Sequence, residues 1–176
     1  IVTTFNDVEL TRRTPIRVLP EAFLETEVAD EEGVLRRRYR DAVVALHAPL
    51  PGEKACLYEM GIPVMELGDA PFHVDVRQKI PLTMERDGVP PRYLRDIRGV
   101  VLDGAHDLVT TKMATGKWTQ DAIEESTNQE AVKALVAKRY GEKVVIYDPS
   151  DVEGTKIAMS RDYAVIPGGA FTGDAW

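Results

Sequence analysis

The clearest alternation of apolar and polar residues along the chain runs from Phe72 to Val76. Apolar residues at every second position, with His73 and Asp75 between them, predict a half-buried β-strand. Pro81 follows soon afterwards, and a proline cannot donate a hydrogen bond inside a sheet. We therefore expect the strand to end, or to reach a sheet edge, before Pro81.

Gln78 and Lys79 form a polar break directly after this strand. The pattern predicts that Lys79 lies at the tip of a loop, with its ammonium free to reach away from its own sheet. Such a lysine suits contact with a phosphate that belongs to another part of the protein. The alternative is an ordinary solvated lysine, which is the rule for this residue type.

The longest predicted helix begins near Pro90 and Pro91, because proline is tolerated in a first helical turn. Its apolar residues recur at helical spacing and form one face that can pack across a sheet. These elements predict an α+β fold for the main body. The residues of that face are Tyr93, Leu94, Ile97, Val100, Val101, Ala105 and Leu108.

The residues before the Phe72 strand predict several short extended segments. We expect strands at 1–5, 16–19, 24–29 and 62–67, and a short helix at 53–60 that Gly61 ends.

Two hairpins are predicted among these segments. Residues 34–38 are expected to pair with residues 42–47, after a turn at 30–33 in which Gly33 takes the difficult backbone angle. Gly68-Asp69 is expected to turn the strand at 62–67 into the Phe72 strand.

The C-terminal part predicts helices at 118–125 and 128–140, the second with Ser126 or Thr127 as its cap and Gly141 at its end. A strand at 143–147, a helix capped by Asp151 or Ser150, and a strand at 163–166 would form a small βαβ-like unit. We therefore predict a transition between residues 1–112 and residues 113–176.

The composition is that of an ordinary globular chain, with 44% hydrophobic and 29% charged residues among 176. The single cysteine excludes an internal disulfide and a cysteine-based zinc site. The sequence contains no apolar run of membrane-span length, and we expect a cytoplasmic location. Because the chain begins with Ile1 instead of Met, we also expect it to be a piece of a longer polypeptide.

The net charge of −7 argues against a domain that coats nucleic acid in general. One dense basic cluster is the exception, and it could bind phosphate or an acidic partner. The alternative is a solvated strand face that the acidic residues at 30–32 balance. The basic cluster consists of Arg36, Arg37, Arg38 and Arg40.

No metal site is predicted. The histidines His47, His73 and His106 are far apart in sequence. Asp148, Asp151 and Glu153 follow a strand in a pattern typical of carboxylates at a Mg²⁺ site, but capping of the next helix explains Asp151 more simply.

The run Val74-Asp75-Val76-Arg77-Gln78-Lys79-Ile80-Pro81-Leu82, with the long amphipathic helix after it, resembles the transducer domain of GHKL-type ATPases. That superfamily includes gyrase B subunits, MutL repair proteins, heat-shock chaperones and sensor kinases. The resemblance covers residues 1 to about 110. The segments at 57–64 and 147–151 also resemble uncharacterised actinobacterial and phage proteins described as ATP-binding.

The resemblance implies a ribosomal-protein-like fold: a mixed sheet with packed helices and a left-handed βαβ crossover. It implies that Lys79 contacts the γ-phosphate of ATP as a catalytic residue and that Gln78 accompanies it in nucleotide binding. ATP and Mg²⁺ would be held by an N-terminal ATP-binding domain of the same polypeptide, which this chain lacks. The isolated chain is then expected to hold no cofactor and to be inactive, and a homodimer is a further candidate assembly.

Two alternatives to a transducer stay open. One is a non-catalytic module that binds protein or nucleic acid through the basic cluster. The other is a small free-standing enzyme that uses Asp148 and Asp151 with Mg²⁺.

Overall fold

The computed structural model describes residues 3–5, 8–10, 13–85 and 87–167 of the chain. Strands and helices are both present, which confirms the α+β class. The strands are β1 (Thr3–Phe5), β2 (Val8–Leu10), β3 (Arg17–Ala29), β4 (Leu35–His47), β5 (Cys56–Glu59), β6 (Ile62–Glu66), β7 (His73–Val76), β8 (Val144–Ile146) and β9 (Ala164–Ile166). The helices are α1 (Pro91–Ala105), α2 (Thr111–Ala114), α3 (Lys117–Glu125), α4 (Gln129–Tyr140) and α5 (Val152–Ser160), with a 3-10 turn at His106–Leu108.

The main sheet has five strands in the order β3-β4-β7-β5-β6. Strand β7 pairs antiparallel with β4 and parallel with β5, so the sheet is mixed. β1 and β2 form a separate antiparallel pair. All four residues of β7 are buried, which places this short strand at the centre of the fold.

Strands β3 and β4 form one long hairpin, and this corrects two predictions. The predicted strands at 16–19 and 24–29 are one strand, because residues 17–29 form β3 with a register shift between Leu19 and Ala22. Residues 34–38 do not pair with 42–47, because residues 35–38 and 42–47 lie in the same strand, β4. The predicted turn at 30–33 is confirmed, with Gly33 at a φ of 79°, but it joins β3 to β4, and the side chain of Asp30 accepts hydrogen bonds from the backbone of Glu32 and Val34.

The predicted helix at 53–60 is wrong, since Cys56–Glu59 is strand β5. Gly61 does not end a helix. It forms, together with Met60, the two-residue turn between β5 and β6, and both residues have positive φ, of 87° and 49°. The prediction failed because a glycine after an apolar segment suits both a helix end and a hairpin turn.

The predicted hairpin between the strand at 62–67 and β7 is also wrong. β6 pairs only with β5 among the described strands, and β7 lies on the other side of β5. Asp69 has a different role: its carboxylate accepts hydrogen bonds from the backbone N–H groups of Lys117 and Trp118, at 2.6 and 3.0 Å. It therefore caps α3 from a distant part of the chain.

Helix α1 packs on one face of the sheet, as its apolar spacing predicts. Tyr93, Ile97 and Val101 join Val44 and Val74 of the sheet in the apolar core. The buried apolar side chains that the structure describes form one continuous cluster, which also includes Trp118 of α3, Leu135 of α4 and Ile166 of β9. Residues on both sides of position 112 thus share a core, and the division of the chain at that position remains a prediction.

The C-terminal elements agree with the predicted order. Helix α4 ends at Gly141 as expected, but its cap is Asn128, whose side chain accepts from the N–H groups of Glu130 and Ala131, so Ser126 and Thr127 are not the cap. Asp151 caps α5. Strands β8 and β9 pair in parallel across α5, which confirms the small βαβ unit.

The five-stranded sheet consists of strands that follow one another in the chain without an intervening helix. The only βαβ arrangement within the described ranges is that of β8, α5 and β9. The mixed sheet with packed helices is therefore established, whereas the ribosomal-protein-like form of it is not. Within the same ranges, no helix is both long enough and apolar enough to cross a membrane.

The contact between α1 and α3 allows a sharp test of this packing. A Cβ added at Gly99 would lie 2.6 Å from the backbone oxygen of Glu125. Alanine normally favours a helix over glycine by about 1 kcal/mol, but here the clash with backbone should dominate. We expect Gly99→Ala to lower the free energy of unfolding by about 1–3 kcal/mol in urea titrations.

The matched control is Gly104→Ala in the same helix. A Cβ there would meet only the side chain of Leu19, which can rotate away. Its loss of stability should be smaller than that of Gly99→Ala, and the reverse order would contradict the packing of α1 on α3.

Candidate functional site

The face of the sheet opposite the core carries a buried polar cluster. Val74 and Val76 point into the core, so His73 and Asp75 point to the other face. There His73 lies opposite His47 of β4, and Asp75 lies opposite Tyr58 of β5. His73 is 2% exposed and Asp75 is 5% exposed, so the predicted half-buried strand is wrong: both faces are covered.

The hydrogen bonds of His73 define its tautomer. Its Nδ1 accepts from the backbone N–H of Cys56 at 3.0 Å. Its Nε2 lies 3.1 Å from the carboxylate of Glu53. Nδ1 therefore has no proton, and Nε2–H donates to Glu53. Both ring nitrogens are occupied, so His73 has a structural role here.

Glu53 is the centre of a second group of contacts. Its carboxylate accepts two hydrogen bonds from the guanidinium of Arg13, at 2.8 and 3.1 Å, and one from the backbone N–H of Leu50 at 2.8 Å. The bond from Arg13, followed by those from Leu50 and His73, lowers the pKa of Glu53 to about 2. The same pair raises the pKa of Arg13.

Both carboxylate oxygens of Asp75 also have partners. One carboxylate oxygen accepts from the backbone N–H of Gly61 at 2.8 Å. The other lies 3.1 Å from the guanidinium of Arg77. Asp75 thus joins the turn after β5 to the end of β7, and its buried charge is paired as a buried charge requires.

A cavity of about 430 Å³ borders this polar cluster. We call it the polar chamber and define it by the lining residues Arg13, His47, Tyr58, His73, Asp75 and Arg77. Burial lowers the pKa of His47, although the negative charge of Asp75 opposes this effect. The two sequence-distant histidines 47 and 73 are thus neighbours, while His106 lies after α1. The described residues contain no group of three or more potential ligands that could hold a metal ion.

Gln78 and Lys79 follow β7 in an irregular segment, as predicted. The expectation that the lysine ammonium is free is wrong, however. Its Nζ lies 3.0 Å from the carboxylate of Glu27 on β3, within the same sheet. The Lys79 side chain nevertheless remains 42% exposed, so a ligand can reach it.

The backbone around Lys79 is anchored at several points. The hydroxyl of Thr26 donates to the carbonyl oxygen of Lys79 at 2.7 Å, and the backbone N–H of Ile80 donates to Glu59 at 2.9 Å. The Gln78 side chain donates to the carbonyl oxygen of Leu24 at 3.4 Å. Gln78 therefore supports the loop, and Lys79 extends from a backbone that strands β3 and β5 hold in place.

The basic cluster lies on the N-terminal half of β4, and all four of its arginines are exposed. Arg36 lies 2.6 Å from the carboxylate of Asp30. Arg36, Arg38 and Arg40 line a shallow surface together with Asp30, Glu31 and Glu32. The ion pair between Arg36 and Asp30 agrees with part of the predicted balance, which stays a prediction for the other arginines.

The carboxylates Asp148 and Asp151 serve local structure. Asp151 accepts from the backbone N–H of Gly154 at 2.8 Å and so caps α5. Asp148 accepts from the hydroxyl and the backbone N–H of Ser150 at 2.6 and 2.8 Å, and these bonds lower the pKa of Asp148. Capping was the simpler explanation from the sequence, and the geometry agrees with it.

Comparisons with known proteins leave the family of this chain open. No protein-family model, no curated protein and no solved structure matches it. The resemblance to GHKL transducer domains is therefore neither supported nor contradicted by them. What the structure itself defines is an α+β protein with a polar chamber on one face of its sheet and an anchored lysine loop at the end of β7.

Sequence reasoning did not find the polar chamber. His73 and Asp75 alternate with valines, but alternation alone does not distinguish a solvent-facing side of a strand from a covered polar side. The residues that cover this face, Arg13 and Glu53, come from segments without periodicity. The contacts of Arg13 and Glu53 with His73 become visible only in the folded structure.

The Glu53 contacts predict a specific pH dependence. A carboxyl group whose pKa is lowered on folding stabilises the protein above its ordinary pKa of 4.5, and this contribution is lost as the pH falls toward about 2. Replacing Glu53 by Gln removes the titrating group. We therefore expect the Glu53→Gln variant to lose less stability than the parent between pH 5 and pH 2, measured by urea unfolding at each pH. Parallel pH profiles would show that Glu53 is not held by Arg13 in solution.

Proposed function

We propose that this chain is the nucleotide-responsive transducer of a GHKL-like ATPase and works in the cytoplasm. In this proposal, Lys79 contacts the γ-phosphate of an ATP molecule that a separate ATP-binding domain of the same polypeptide holds with Mg²⁺. The observation that carries the proposal is the anchored loop that presents a half-exposed lysine directly after a buried central strand.

The ion pair of Lys79 with Glu27 is compatible with this role. Pairs at this level of exposure contribute about 1 kcal/mol or less, because water and salt screen them. A terminal phosphate carries more charge than a carboxylate and offers several acceptor oxygens. Lys79 can therefore exchange Glu27 for a phosphate at little cost, provided that the phosphate is brought within reach.

The anchored backbone explains how such a contact could transmit a signal. Lys79 extends from a loop fixed to β3 and β5, so attraction of its ammonium to a phosphate acts on the whole sheet. Hydrolysis removes the terminal phosphate and with it the attraction. The orientation of this chain relative to the nucleotide would then follow the nucleotide state.

The order of elements agrees with the proposal, since β7, the Gln78-Lys79 pair and the amphipathic helix α1 follow one another as the resemblance implies. The ribosomal-protein-like form of the fold is part of the proposal, although its left-handed βαβ crossover has no counterpart among the described strands of the main sheet. Because the groups that would hold ATP and Mg²⁺ belong to the ATP-binding domain, this chain alone is not proposed to hydrolyse ATP.

Replacing Lys79 tests the proposal in the full-length polypeptide. We expect Lys79→Ala to lower the rate of ATP turnover by about 100-fold, because one charged contact to the transferred phosphate is lost in the transition state. The rate of phosphate release measures this effect. The circular dichroism spectrum should stay unchanged, since the anchoring bonds of the loop use the backbone of residue 79.

Lys156→Ala is the matched control, because Lys156 is an exposed lysine on α5, remote in sequence from the loop. It should leave turnover unchanged. If Lys79→Ala also turns over ATP at the parental rate, Lys79 has no part in the mechanism and the transducer proposal fails.

The exposed basic cluster supports a second candidate, a non-catalytic module that binds an acidic protein surface or nucleic acid. Alternation along β4 places Arg36, Arg38 and Arg40 on one face. Asp30 pairs with only the first of them, so the other two remain available at this face.

Charge reversal tests this candidate. We expect a triple replacement of Arg36, Arg38 and Arg40 by Glu to abolish a salt-sensitive association with single-stranded oligonucleotides, measured by fluorescence anisotropy at low salt. Reversal of Arg92, Arg95 and Lys156 is the control of equal charge. Absence of binding by the parent chain at low salt would remove nucleic acid as a partner of this cluster.

A further inference from the structure

The polar chamber has an imbalance between hydrogen-bond donors and acceptors. Asp75, the carboxylate that lines it, accepts from Gly61 and pairs with Arg77. Glu53, which contacts the lining residues Arg13 and His73, accepts from both of them and from Leu50. The acceptor nitrogen of His73 is occupied by the backbone of Cys56. The groups that remain available to a ligand are therefore mainly donors.

Arg77 supplies the charged donor. Its guanidinium uses one nitrogen, Nη2, for Asp75, and its side chain is 37% exposed. The planar guanidinium carries further N–H groups in a fixed fork, and these match the oxygens of a carboxylate or a phosphate. No other ion pair of Arg77 exists among the residues that the structure describes.

Tyr58 and His47 supply two neutral donors. The hydroxyl of Tyr58 has no hydrogen-bond partner among the described residues, and burial raises the pKa of Tyr58, so the hydroxyl keeps its proton. The Nδ1 atom of His47 is buried without a partner. Nε2 is therefore the ring nitrogen that can meet a ligand, and a proton on it avoids an orphaned N–H inside the protein.

We propose that the polar chamber is a binding site for a small anion with carboxylate or phosphate oxygens, held by Arg77, Tyr58 and His47. The three side chains come from the end of β7, from β5 and from β4, which are adjacent strands of the sheet. The cavity of about 430 Å³ has room for an ion of this class together with water. Pairing of the lining carboxylate Asp75 with Arg77, and of the neighbouring Glu53 with Arg13, reduces the repulsion that an anion would meet.

This site is separate from the Lys79 loop in its chemistry. Lys79 pairs with Glu27 on β3, whereas the chamber residues lie opposite the apolar core on β4, β7 and β5. Anion binding in the chamber therefore does not depend on the transducer proposal, and each can fail without the other.

Nuclear magnetic resonance of the histidine rings tests the chamber directly. The chain contains three histidines, so the ring carbon–proton signals of His47, His73 and His106 can be followed while inorganic phosphate is added. We expect a saturable shift of the His47 signal and no comparable shift of His106, which lies beyond the end of α1. Sodium acetate forms a second arm, and sodium chloride at matched ionic strength controls for salt.

A saturable response to phosphate, to acetate or to both supports the site and identifies which oxyanion it takes. Equal shifts with chloride, equal shifts of His106, or no saturable shift of His47 with either oxyanion would overturn the proposal.

Two variants assign the donors. Arg77→Gln should weaken the oxyanion affinity by about tenfold or more, because a charge-assisted contact is lost. Arg95→Gln is the control: Arg95 lies on α1, away from the chamber, so this variant should bind as the parent does.

Tyr58→Phe removes only a hydroxyl and should weaken binding by about 2- to 10-fold. If Arg77→Gln fails to fold, Tyr58→Phe decides, and parental affinity in the folded variant contradicts the assignment.

Discussion

The structure depends on the pairing of β7 with strands on both sides. This strand of four residues lies between β4, to which it is antiparallel, and β5, to which it is parallel. Its valines complete the core beneath α1, while His73 and Asp75 are buried on the opposite face. Because both faces are covered, every residue of β7 must be matched by a specific partner, apolar on one side and hydrogen-bonding on the other.

Both candidate sites follow from the placement of this strand. The polar chamber uses the face of β7 that does not pack on α1, together with β4 and β5. The Lys79 loop begins where β7 ends and is fixed by side chains of β3 and β5. This central strand thus supports two different arrangements of charge: a chamber in which the carboxylate of Asp75 is paired with Arg77, and a half-exposed lysine that is paired with Glu27.

Local patterns in the sequence were reliable wherever a single element could be recognised from its own residues. The amphipathic spacing of α1, the helix end at Gly141, the cap at Asp151 and the βαβ order of the C-terminal unit are all present as predicted. The wrong predictions concern which strand or helix an element pairs with. Gly61 is predicted as a helix end but forms the turn between β5 and β6, and Gly68-Asp69 is predicted as a hairpin turn but Asp69 caps the remote helix α3.

The sequence by itself determined the α+β class, the strand that ends before Pro81, and the exposed loop position of Lys79, because these depend on periodicity and on the covalent limits of proline and glycine. Only the tertiary structure decided the insertion of β7 between β4 and β5, the pairing of Lys79 with Glu27, and the meeting of His47 with His73. Such contacts join residues far apart in the chain. Their energy comes from burial and from exact matching of donors to acceptors, and neither is visible in the local order of residues.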